Sequence, residues 1–162
     1  MGTRCGSIDP SIVPYIMEQT GMSAAEVNDI MNKKSGLLGV SGVSNDARDV
    51  WEAADAGNER AKLAMDLLVH NAKKIIGSYV AEMNGIDVLI FTAGLGENDR
   101  LVREMVCENM EFFGIEFNKE WNMTCPRGEN AVLSTPDSKV KVVVIPTDEE
   151  YMIASDTYEL VK

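Results

Sequence analysis

A chain of 162 residues with 45% hydrophobic and 25% charged residues holds enough apolar content for a real core, which excludes whole-chain disorder. Its 26 acidic against 15 basic residues, a net charge of −11, repel a phosphate backbone and so exclude nucleic acid as a partner, while a small nucleotide carried with Mg²⁺ stays compatible. Cys5, Cys107 and Cys125 lack C-x-x-C spacing and exclude a disulfide framework or zinc site; with no signal-like apolar core and no membrane-length apolar run, the expectation is a cytoplasmic protein.

The chain opens on a short loop, GTRCGS. Asp9-Pro10 then reads as a helix N-cap with proline at the first helical position, and Ile12, Tyr15 and Ile16 form that helix's apolar face up to Gly21. Ser23 to Glu26 is a capping box that starts a second helix, with Val27, Ile30 and Met31 at helical spacing and Gly36 as its stop. The segment SGLLGVSGVS, Ser35 to Ser44, reads as a functional loop or short extended piece. A short helix over 48–56 precedes the longest element, 58–84, where Ala61, Met65, Leu68, Ala72, Ile75, Tyr79 and Met83 recur on one face. His70 lies opposite that stripe and reads as a solvated or interface histidine.

Ile86 to Phe91 is an apolar run of the right length for a buried parallel strand. Thr92 to Asn98 turns it into a helix carrying Val102, Met105, Val106, Met110 and Phe113. Weak strand character at 131–133 is followed by a second buried strand, Val140 to Ile145, and Pro146-Thr147 leads into the final helix. The order predicts an α/β fold, mainly helical, with a small mixed or parallel sheet in which the two apolar runs are parallel neighbours. Two strands make a poor sheet alone, so the pattern is that of a piece of something larger, without repeat or domain linker.

Four segments invite chemistry. In IFTAGLGEN, Ile90 to Asn98, glycines at a strand-to-helix turn let a ligand approach the backbone, although a tight turn explains glycine-x-glycine equally well. Glu97 would repel a bare phosphate, so Glu97 and Asn98 fit contacts to a nucleoside, or the helix's own acids and cap. In IPTDEE, Ile145 to Glu150, Thr147 and Glu150 have capping-box spacing, while Asp148 and Glu149 suit either the helix dipole or Mg²⁺ held partly through water. Arg4 in GTRCG has the planar fork that grips a phosphoryl or carboxylate group, and reads otherwise as a surface residue. Asp46 and Arg48 in SNDARD read as a helix cap and its charge partner.

Taken together and in this order, GTRCGSIDP (2–10), KKSGLLGVSGVSNDARD (33–49), IFTAGLGEN (90–98) and STPDSKVKVVVIPTDEE (134–150) resemble the acetate kinase family, in its C-terminal part, over essentially all of 1–162. The resemblance implies a partial actin-like ATPase domain of ribonuclease H-like fold. It also implies reversible, Mg²⁺-dependent phosphoryl transfer from ATP to acetate, giving acetyl phosphate and ADP; propionate or butyrate as acceptor is the sibling implication. By the same resemblance Arg4 binds and stabilises the transferring phosphoryl group, and Asp46, Ala47 and Arg48 are the adenosine-contacting segment. Gly94, Leu95, Gly96, Glu97 and Asn98 are the second nucleotide segment, and Glu149 is associated with Mg²⁺.

Two positions depart from the family pattern. Ser7 stands where aspartate is usual, which disturbs the loop presenting Arg4, and Ala47 replaces a commonly aromatic position, which weakens adenine stacking. Nothing matches the family's N-terminal lobe, with its metal-binding asparagine, second arginine, catalytic aspartate and histidine. The expectation is therefore a fragment inactive by itself, with a non-catalytic nucleotide-binding or dimerisation piece as the alternatives. The family's homodimers join through this lobe, so self-association is expected.

Overall fold

The computed structural model describes residues 1–162, which fall into two units, residues 1–73 and 74–162, with the division inside one long helix. The first unit is helical. Its opening helix α1 (Ile12–Thr20) starts two residues later than Asp9-Pro10 suggests. Asp9 nonetheless governs the entry: its Oδ1 accepts the Ser11 N–H at 2.9 Å and the Ser11 hydroxyl at 2.6 Å. Helix α2 (Ala24–Lys33) has the full reciprocal capping box between Ser23 and Glu26.

The segment after α2 is not a loop. Gly36–Ser41 forms a short helix, α3, because its otherwise unpaired first-turn amides find partners in the N-terminal segment. The Leu37 and Leu38 N–H groups each donate at 3.0 Å, to the carbonyls of Met1 and Gly2. At its other end the Arg60 guanidinium donates to the carbonyls of Val40 (2.8 Å) and Gly39 (3.2 Å). Tertiary partners at both ends thus hold a helix that its glycine content disfavours.

Helix α4 (Ala47–Asp55) follows, then α5 (Glu59–Glu82), whose first amides are capped by the Asn58 side chain. Val27, Leu37, Val50, Ala61, Ala64, Met65 and Val69 form the buried apolar set of the first unit. The stripe expected on α5 is only partly right. Ala61 and Met65 are buried, but Ile75, Tyr79 and Met83 are exposed, and Ile76 packs on the core of the second unit instead.

The second unit is built on a three-stranded mixed sheet of order β1-β3-β2: β1 (Val88–Phe91), β2 (Ala131–Val132) and β3 (Lys141–Val144). β1 and β3 are parallel neighbours in the register Val88 to Lys141 through Phe91 to Val144, as their apolar runs predict, and β2 adds antiparallel to β3. β1 lies at the edge, and it is not buried on both faces: Val88 and Ile90 are exposed, while Leu89 and Phe91 pack inward. The unit also contains α6 (Ala93–Asn98), α7 (Arg100–Cys107), a 3₁₀ turn at Glu111–Phe113, α8 (Lys119–Thr124) and α9 (Glu149–Val161), the last of which buries no residue. Cys107, Met110, Ile115, Leu133 and Val142 are at the centre of the core. No helix is long and apolar enough to cross a membrane.

Candidate functional site

In the first unit, the segment bearing Arg4 is clamped along its length. Cys5 N–H donates to the Met31 carbonyl at 2.8 Å, and Ser35 N–H donates to the Thr3 carbonyl at 2.8 Å. Glycine is required on both sides of the clamp. A Cβ on Gly2 would sit 2.8 Å from the Asn45 carbonyl oxygen, and one on Gly36, whose φ is +62°, would collide with the Met1 carbonyl. Arg4 itself is exposed at the edge of an open cleft of about 240 Å³ that Cys5, Met31 and Asn32 also line. Close packing of Gly2 on Asn45 brings this segment beside the start of α4.

There Asp46 is the N-cap. Its Oδ1 accepts the Arg48 N–H at 2.9 Å, and the Arg48 guanidinium returns onto the same carboxylate through Nε at 3.0 Å and Nη2 at 2.5 Å. The guanidinium bonds, helped by the backbone amide, bring the Asp46 carboxyl down from the usual 3.8 to about 2. The reading of this pair as a helix cap and its partner is thus what the geometry shows. Ala47, half-buried in the first turn, has no side chain on which a base can stack.

In the second unit, the glycine turn is itself a helix. Thr92 is extended, Ala93 takes φ +57°, and residues 93–98 complete α6 before Asp99 caps α7 by accepting the Val102 N–H at 3.0 Å. A non-glycine residue in the left-handed region stores strain, and here it stands at the exit of a parallel strand. The two glycines differ in kind. A Cβ on Gly96 would lie 3.2 Å from the Phe91 carbonyl carbon, so the fold itself asks for glycine there. Gly94 is helical, and a Cβ on it would meet nothing within 4 Å. Nothing inside the protein accounts for glycine at that position.

Glu97 is engaged within the protein. Its Oε1 accepts the Thr147 N–H at 2.8 Å and the Thr147 hydroxyl at 2.9 Å. The amide bond, then the hydroxyl bond, hold its carboxyl below the ordinary glutamate value. This oxygen serves as a latch that draws α6 to the end of β3. Asn98 donates through Nδ2 to the Gly94 carbonyl at 3.0 Å, and Leu95 is partly exposed between them. The latch displaces the expected capping box on the final helix. Thr147 points to Glu97, and Asp148 caps α9 by accepting the Tyr151 N–H at 3.0 Å, leaving Glu150 without the capping role. Glu149 is exposed in the first turn of α9, and no cluster of three or more His, Cys, Asp or Glu residues surrounds it.

A profile of the Acetokinase family matches residues 1–155. The chain belongs to the acetokinase family. It is 56% identical over 161 residues to an acetate kinase from Carboxydothermus hydrogenoformans, covering 99% of this chain and 40% of that protein. The crystal structure of the Porphyromonas gingivalis acetate kinase superposes with a TM-score of 0.92 at 52% identity over 100% of this chain and 40% of that one. A propionate kinase from Francisella tularensis superposes at 0.85 with 38% identity, covering 95% of this chain and 38% of that one. The chain thus spans about 40% of the length of the relatives it matches, and its α/β class, mainly helical with a small mixed sheet, agrees with theirs. The motif segments lie in both units of this acetokinase-family chain: Arg4 and Asp46 to Arg48 in the first, Gly94 to Asn98 and Glu149 in the second.

One buried group in this acetokinase-family chain carries no signal in any motif. Arg103 on α7 is 1% exposed, and its Nη1 donates to the carbonyls of Gly96 at 2.9 Å and Glu97 at 2.7 Å. Arg103, Val106, Cys107 and Met110 recur at i, i+3, i+4 and i+7, so the helical spacing did place the arginine on the inward face.

Proposed function

We propose that the chain carries the adenosine-binding and Mg²⁺-associated half of an ATP:acetate phosphotransferase, corresponding to the C-terminal part of that enzyme. The observation that supports this best is the junction in the second unit. β1 and β3 run parallel side by side, and the segments leaving their carboxyl ends, Gly94–Asn98 and Thr147–Glu150, are joined through Glu97 and Thr147. Ligands of open α/β sheets bind in this position, beyond the carboxyl ends of the strands.

Each residue has a role in that reading. Gly94 presents bare backbone to the nucleotide. The exposed carboxylate of Glu149 suits Mg²⁺, which takes one or two carboxylates and fills its other positions with phosphate oxygens and water. When bound, Mg²⁺ supplies charge neutralisation on the phosphates. The unpaired fork of Arg4 is matched to the oxygens of the phosphoryl group in transfer. The Arg48 guanidinium, fixed by Asp46, offers adenine a flat face where Ala47 offers none. Acetate is the acceptor. The likeness to the Francisella tularensis propionate kinase favours propionate as the second reading. The cytoplasm is the compartment and a homodimer the assembly in this proposal.

Phosphoryl transfer needs stabilising charge on several sides, and removing one preorganised donor from such a site costs about 3 to 4 kcal/mol. With Arg4 as its one assigned phosphoryl-binding cation, this chain binds nucleotide by itself but does not make acetyl phosphate. Calorimetry with Mg-ADP tests the reading: heat of binding is expected from the chain, weakened tenfold or more in Glu149→Ala. An absence of heat contradicts the proposal. Acetate-dependent ADP release by the chain, abolished in Arg4→Ala, contradicts the claim of inactivity.

A further inference from the structure

Arg103 is the bulkiest of the fully buried side chains, and it makes no ion pair. Its hydrogen bonds all go to neutral oxygens, the carbonyls of Gly96 and Glu97 through Nη1 and Asn122 Oδ1 at 2.8 Å through Nε, while the Asp99 carboxylate favours its charge through space. Asn122, 0% exposed, is fixed in turn by donating from Nδ2 to the Arg100 carbonyl at 3.0 Å. Val102, Val106 and Cys107 are its buried neighbours on α7. Packing and stability alone do not call for a cation in such surroundings, because apolar side chains of similar volume often serve as well or better there.

What the arginine alone provides is a planar group that holds two successive carbonyls of the glycine turn through Nη1 while Nε is fixed on Asn122, all from the protein side. Those carbonyls belong to the second half of α6, the strained helix that begins at Ala93. With the Glu97 latch at the end of β3, the turn is fixed from two directions, and its Gly94 face stays open.

We propose that Arg103, oriented by Asn122, is the positioning residue of the nucleotide-binding turn. It sets the backbone of Gly94–Asn98 in the geometry that receives the nucleotide without touching the ligand itself. The proposal rests on the reading of that turn as nucleotide-binding. Lysine retains the charge but has a single ammonium in place of the planar fork, so it cannot reproduce the contacts to both carbonyls and Asn122.

The test compares the wild-type chain with Arg103→Lys and Asn122→Ala, using amide hydrogen exchange and Mg-ADP calorimetry. Without nucleotide, the amides of Leu95 to Asp99 are expected to exchange at least tenfold faster in Arg103→Lys, while the sheet amides of Lys141 and Ile145 keep their protection. The dissociation constant for Mg-ADP is expected to rise tenfold or more in Arg103→Lys and about threefold in Asn122→Ala. Unchanged exchange over Leu95–Asp99, or equal acceleration through β3, overturns the proposal. So does an unchanged dissociation constant.

Should both variants fail to fold, the wild-type chain labelled with ¹⁵N-arginine decides. The Arg103 Nε–H signal is expected to shift as Mg-ADP saturates, and a stationary signal overturns the proposal. Absence of Mg-ADP binding by the wild-type chain overturns the nucleotide reading and this proposal with it, whereas intact binding with unchanged exchange overturns this proposal alone.

Discussion

Substituting alanine at Gly94 separates what the fold needs from what a ligand needs. Gly94 lies within α6, and a methyl there meets no atom within 4 Å. Replacing a helical glycine by alanine removes backbone entropy from the unfolded chain, worth about 0.5–1 kcal/mol of added stability. If a nucleotide packs against that open backbone, the same methyl overfills the contact at a cost of about 1–3 kcal/mol. At 1.4 kcal/mol per tenfold, that is a loss of roughly 5- to 150-fold in affinity. Gly96→Ala should behave in the opposite way towards stability. Its methyl would lie 3.2 Å from the Phe91 carbonyl carbon and 3.4 Å from its Cα, both backbone atoms, so strain outweighs the helix gain and the protein loses about 1 kcal/mol. Gly77, helical in α5 and also in open space, is the control: alanine there stabilises without touching affinity. Denaturant unfolding and Mg-ADP calorimetry on the three variants give both quantities. Wild-type affinity in a stabilised Gly94→Ala, or loss of stability in that variant, refutes the reasoning.

Three further outcomes follow from particular groups. Ala93→Gly should raise stability by roughly 0.5–1 kcal/mol in denaturant unfolding, since release of a left-handed alanine exceeds the added chain entropy. The Asp46 carboxyl is depressed in the folded state, so its contribution to α4 is complete above about pH 3.8 and is lost as the pH falls through about 2. Acid titration followed by circular dichroism should show that limb, and Asp46→Asn should flatten it. Val88 and Ile90 on β1, with Ile153, Leu160 and Val161 on α9, leave exposed apolar surface on the second unit. Light scattering at micromolar concentration should therefore show a dimer or larger species, and a monomer at all concentrations contradicts that.

Local signals were legible in the sequence where local chemistry decides the structure. The Ser23–Glu26 box and the pairing of two apolar runs depend on neighbours or on simple periodicity. Reading failed where distant partners decide. SGLLGVSGVS is helical because Met1, Gly2 and Arg60 satisfy its ends, and no spacing within the segment shows that. On α5, Ile75 and Tyr79 compete with Ile76 and Val80 for the inward face, so an apolar stripe alone could not choose between them. Glu97 was legible as important but not as a latch, since Thr147 lies 50 residues away. Burial of Arg103 is hard to read because a charged residue on an amphipathic helix is usually solvated, although its spacing with Val106, Cys107 and Met110 marks the inward face.

The most direct measurement of the central claim is amide hydrogen exchange of the chain with and without saturating Mg-ADP. The account predicts new protection concentrated at residues 93–98 and 147–150 of the second unit, with Glu149→Ala reducing it. Protection at none of these segments, or confined to the opposite end of the sheet around Val88 and Lys141, would contradict the assignment of the nucleotide to this chain.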